Sequence, residues 1–73
     1  MTNFFTAEEF IIAILDPNGV FYLPNYRDKI EFIIDCMEDN SQDMKDGIKH
    51  IIQSKFPQYI SIITNPDKYK LLL

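Results

Sequence analysis

Apolar positions fall into blocks along the chain, separated by turn-forming residues. The first block predicts a helix over residues 6–16. Thr6 stands at its start and Glu9 follows three residues later, the reciprocal Thr-x-x-Glu capping pattern. Phe5 before the cap and Phe10 at the fourth helical position fit a hydrophobic staple. Phe10 to Leu15 is apolar on every side of a helix. Such a helix is either central to a core or turns a second apolar face to another chain.

Asp16-Pro17-Asn18-Gly19 ends this helix, because Pro17 biases Asp16 away from helical geometry and Asn18-Gly19 favours a turn. Val20-Phe21-Tyr22-Leu23 is β-prone and reads as a short extended segment stopped by Pro24. A second helix is predicted over 26–39, capped by Asn25, with Asp28 in its first turn. Tyr26, Ile30, Ile33, Ile34 and Met37 recur at helical spacing and form one core-facing stripe. Asp39-Asn40-Ser41 breaks the pattern, and a third helix follows over 42–56 with Ser41 as its cap. Met44, Ile48, Ile51, Ile52 and Lys55, with Phe56 alongside, give it the same stripe. Gly47 inside it costs about 1 kcal/mol relative to Ala. Either Gly47 admits a close contact between helices or the regular helix starts only after Asp46.

Residues 59–64 are β-branched and bracketed by Pro57 and Pro66. A short helix is preferred, since Pro57 would sit in a first turn, where proline is tolerated. An isolated ribbon with 20–23 would be marginal. Residues 67–73 add a final turn whose three leucines either dock on the core or stay on the surface. The expectation is a single all-α domain over 1–73, a small three- to four-helix bundle with an extended segment near 20–23. The alternative is an α+β fold with a two-stranded ribbon pairing 20–23 and 59–64.

Composition narrows the function classes. A chain of 73 residues with 47% apolar and 14% aromatic content folds rather than staying disordered, and it makes one domain at most. It is too short for a nucleotide-binding α/β fold or a kinase. One cysteine excludes an internal disulfide. The longest apolar run, residues 10–15, falls far below the roughly 20 residues of a membrane span. With no basic stretch before that run, a soluble cytoplasmic protein is expected. A single core of this size supplies only ~3–5 kcal/mol, so self-association or a partner would add needed stability.

Charge bears on partners. The net charge of −4 disfavours non-specific binding to nucleic acid or anionic membranes. Residues 1–40 hold eight acids and two bases, whereas residues 41–73 hold three acids and five bases. Asp28, Glu31, Asp35, Glu38 and Asp39 fall on one side of the second helix, opposite its core stripe, with Phe32 among them and Cys36 at the edge. Like charges at these spacings destabilise a helix by a few tenths of a kcal/mol per pair, a cost that something basic would offset. These residues form a candidate partner-binding surface with Phe32 as its aromatic anchor. The plainer reading packs Phe32 and Cys36 against a neighbouring element beneath a solvated acidic rim.

Aromatic and apolar residues exceed what so small a chain can bury. Phe4, Phe5, Ile12, Leu71 and Leu72 are candidates for self-association, and a homodimer is plausible. A helix-turn-helix DNA-binding regulator is the competing reading: the break at 39–41 permits it, and Gln42, Lys49 and Gln53 in the 42–56 helix could read bases. Asp43 and Asp46 on the same face would meet phosphates unfavourably. An acidic nucleic-acid mimic is the third reading, although one helix offers a carboxylate every ~5 Å against a DNA charge every ~1.7 Å.

Metal and catalytic chemistry find little footing. Asp39-x-Ser41-x-Asp43 imitates the start of a calcium loop, but Met44 stands where Gly belongs and His50 where Glu belongs. Cys36 and His50 are the only candidate nucleophile and base, and no spacing brings them together. No cofactor and no metal are expected, and the chain reads as non-enzymatic. Small acidic helical proteins of this kind serve as inhibitors or accessory factors, for instance in phages or viruses, which is an analogy of class.

Overall fold

The computed structural model describes residues 6–73. In order they form α1 (Ala7–Leu15), α2 (Tyr26–Glu38), α3 (Gln42–Lys55), a 3-10 turn (Pro57–Tyr59), α4 (Ile60–Thr64) and α5 (Pro66–Lys70). No strand occurs among the described residues, so the ribbon between 20–23 and 59–64 does not form. The architecture is the expected small all-α bundle, with its C-terminal third split into short helical pieces. Proline explains the split. Pro57 and Pro66 each open a helical segment, where their missing N–H costs nothing.

Each long helix starts on the cap its sequence offers. Thr6 Oγ1 accepts from Glu9 N at 3.1 Å and Glu9 Oε1 accepts from Thr6 N at 3.2 Å, completing the capping box. Asn25 Oδ1 accepts from Arg27 N and Asp28 N, and Ser41 Oγ accepts from Met44 N. The staple partner Phe5 lies outside the described residues.

The core is built largely of isoleucine. Ile11 and Leu15 of α1, Ile30, Ile33 and Ile34 of α2, Ile48 and Ile52 of α3 and Ile62 of α4 are buried together. Isoleucine loses side-chain freedom in a helix, so packing rather than propensity holds these helices. α1 lies on α3, while α2 contacts α4 and α5. At the α1–α3 crossing, a Cβ on Gly47 would stand 3.1 Å from Ala7 Cβ. Gly47 thus admits a close helix contact within a helix that is regular from Gln42. An ion pair between Glu8 and Lys55, at 3.2 Å, ties the same two helices at the surface.

Three expectations from the stripe pattern need correction. Tyr26, Met44 and Lys55 lie on the stripes yet are exposed: Tyr26 and Met44 sit in the first turn of their helices, and Lys55 ends α3, where its ammonium pairs with Glu8. The segment 20–23 stays outside the helices, its first two residues closing a turn and the next two without regular structure. It completes a chain reversal that begins at Asp16, whose Oδ1 accepts from Asn18 N at 2.8 Å. Phe21 N then donates to Ala13 O and Leu23 N to Ile14 O, both at 3.0 Å, which satisfies two of the free carbonyls at the end of α1. That return brings Gly19 against the helix backbone: a Cβ there would be 2.3 Å from Ala13 O.

The linker is fastened on its other side by Lys29. This side chain is buried, 7% exposed, and its Nζ donates to Tyr22 Oη at 3.1 Å and to Pro24 O at 3.4 Å. The Tyr22 hydrogen bond, with Tyr59 nearby, outweighs burial and holds the Lys29 ammonium above its ordinary pKa.

Candidate functional site

The carboxylates singled out on α2 all reach the surface. Asp28, Glu31, Asp35, Glu38 and Asp39 are exposed, on the side opposite the buried Ile30, Ile33 and Ile34. Glu38 is paired: Lys70 at the end of α5 donates to its Oε2. That hydrogen bond raises the Lys70 pKa. Among the described residues, no lysine or arginine comes within 4.0 Å of the carboxylates of Asp28, Glu31, Asp35 or Asp39.

Phe32 does not stand free among these acids. It is half-buried against the core, and its ring meets Phe10 of α1 with centroids 5.4 Å apart and planes at 55°. Cys36, one turn further, is buried as well. Cys36 lies at the edge of the buried stripe, whereas Phe32 lies beyond it and is covered because Phe10 of α1 reaches its ring. Burial, with Asp35 adding to it, pushes the Cys36 thiol up to about 11, so it stays protonated at neutral pH. His50 is exposed on α3, so it and Cys36 occupy different environments.

Apolar exposure occurs in places the helix pattern does not mark. Val20 and Phe21 are 80% and 60% exposed on the linker, and Leu71 and Leu72 are 87% and 55% exposed after α5. Ile12 is half-buried and packs against the core, and Phe4 and Phe5 lie outside the described residues. The last leucines are held along α2. Lys70 grips Glu38 at one end of that helix, and Leu73 O accepts from Arg27 Nη2 at the other. Arg27, Glu31 and Glu38 recur at spacings of four and seven and so share one side of α2. The leucine segment therefore lies on the side of α2 that carries Arg27, Glu31 and Glu38, with Asp35 and Asp28 further round the exposed face.

Residues missed by the sequence reading have simple signals in hindsight. Lys29, Ile33 and Cys36 recur at four and three, which puts Lys29 on the buried side of α2. Val20 and Phe21 lie between a tight turn and Pro24, too short a span to turn both inward.

The other proposed face, on α3, exposes Gln42, Asp43, Asp46, Lys49, His50 and Gln53. Gln42 Nε2 donates to Asp46 Oδ1 at 2.9 Å. No cavity and no cluster of three metal-ligating side chains occur among the described residues. No described helix is long and apolar enough to cross a membrane. Comparison with protein-family models, with curated proteins and with solved structures finds no match for this chain.

Proposed function

We propose that this chain is a non-enzymatic interaction module that binds a protein partner and acts on it as an inhibitor, adaptor or accessory factor. One observation carries the reading: α2 carboxylates that no described lysine or arginine pairs, Glu31 foremost, lie on the side of the helix that holds two exposed leucines. Covering one large aliphatic side chain is worth about 1.5–3 kcal/mol, so these leucines represent binding energy the monomer does not use. The carboxylate rim favours a cationic partner surface and speeds its approach.

The test is capture by the tagged protein from nuclease-treated lysate of its natural source, at moderate salt, with stained-gel stoichiometry. A stoichiometric protein band is expected. Recovery only when nucleases are omitted would overturn the reading in favour of nucleic acid.

A further inference from the structure

We infer that the leucine segment 71–73 and the α2 face beside it form a docking surface for a basic amphipathic helix of a protein partner. This deepens the interaction reading and rests on it. The leucines carry the inference. The segment is held at Leu73, whose carbonyl accepts from Arg27, and just before it by the side-chain pair Lys70–Glu38, while Leu71 and Leu72 project into solvent. A backbone held near α2 in this way gives up less conformational entropy when a partner covers it than a free tail would.

Charge complementarity selects the occupant. Glu31 lies on the side of α2 that holds the leucines, Asp28 and Asp35 continue the exposed face beside it, and among the described residues none of the three is paired with a cation. Their spacings of three and four place one carboxylate about every 5 Å along α2. Lysines or arginines at i, i+3 and i+7 of a second helix repeat at the same interval. An extended basic strand, with same-side residues about 6.6 Å apart, overruns the same two intervals by roughly 2–3 Å and matches them less well. The fit is thus an apolar stripe laid on Leu71 and Leu72, with its basic flank along the α2 carboxylates.

The probe is a synthetic Leu/Lys peptide of about 18 residues, long enough for five helical turns, with leucines at i, i+3, i+4 and i+7. A scrambled isomer of equal charge and a Glu-for-Lys version serve as controls. Fluorescence anisotropy measures affinity, and backbone amide shifts of the labelled protein locate the contact. Saturable binding is expected, with shifts confined to 71–73 and the exposed side of α2. The variant Leu71→Ser/Leu72→Ser should weaken it about tenfold or more, and Glu31→Gln/Asp35→Asn should weaken it and flatten its salt dependence. All four residues are exposed, so both variants should keep the wild-type circular dichroism and urea midpoint; Leu71→Ala/Leu72→Ala is the milder pair.

Equal affinity for the scrambled isomer, or unchanged binding by the leucine variant, would overturn the docking surface. The acidic-face interaction reading would survive either result. Absence of saturable binding, alongside a stoichiometric partner in the lysate capture, would likewise sink the docking surface alone.

Discussion

Gly19 offers the sharpest test of how the chain reversal is built. Its replacement by Ala would put a Cβ 2.3 Å from Ala13 O and 2.6 Å from Ile12 O, where ordinary contact begins at 3.4 Å. Both obstructing atoms are helix backbone, so no side chain can swing aside. The linker must retreat by about 1 Å, which stretches the 3.0 Å bonds from Phe21 N to Ala13 O and from Leu23 N to Ile14 O beyond hydrogen-bond length. Two lost bonds at about 0.5–1.5 kcal/mol each come to roughly 1–3 kcal/mol. Alanine returns about 0.4–1 kcal/mol by restricting the unfolded chain. The net expectation is a loss of about 1–2 kcal/mol, a sizeable share of the ~3–5 kcal/mol available to such a core. Urea unfolding followed by circular dichroism, with an unchanged slope, reads this directly. Gly47→Ala is the internal comparison. Its Cβ meets only Ala7 Cβ at 3.1 Å, and helix propensity repays a small shift, so it should stay within about 0.5 kcal/mol of wild type. A Gly19→Ala protein as stable as wild type, or a Gly47→Ala protein just as damaged, would refute the close-approach argument.

Further outcomes follow from individual contacts. Phe32→Ala should cost about 2 kcal/mol, less than the ~3–5 kcal/mol of a fully buried phenylalanine because Phe32 is only half-buried against Phe10; a urea midpoint within error of wild type would place the ring in solvent. Thr6→Ala removes one arm of the capping box and should cost about 1 kcal/mol by thermal unfolding. The Cys36 thiol, held near 11 by burial against 9.0 in the unfolded chain, makes the protein lose stability as pH rises between those values. In that window the unfolded state has shed the proton and the folded state keeps it, so the slope approaches about −1.4 kcal/mol per pH unit. Cys36→Ala should flatten the slope over pH 9–10, below the raised pKa of Lys29, and an unaltered slope would contradict the burial.

Much of the architecture is legible in the sequence because three long helices carry explicit punctuation. Thr6-x-x-Glu9, Asn25 and Ser41 are local signals, and the structure uses each as a cap. The isoleucine stripes likewise locate the core on α2 and α3. Residues 59–64 show local preference overridden: their β-branched content favours a strand, yet among the described residues no partner strand forms, and Ile62 is buried from a helix. The candidate site was legible only in part. Periodicity places the α2 carboxylates outward, but it cannot tell a free Phe32 from one that meets Phe10 across a helix contact. Nor does it show that Lys70 and Arg27 would lay the terminal leucines along α2, since those contacts span 32 and 46 residues of chain. Lys29 was hidden for a related reason, because lysine on a buried face depends on Tyr22 and Pro24 from another segment.

Carboxylate footprinting of the captured complex tests the interaction account most directly. A carbodiimide with an amine label modifies exposed Asp and Glu, and mass spectrometry reads each site in the free and bound protein. The account predicts that labelling of Glu31 and Asp35 falls sharply on binding while Asp43 and Asp46 on α3 stay fully labelled. Protection of Asp43 and Asp46 with Glu31 and Asp35 still open would contradict it and place the interface on α3.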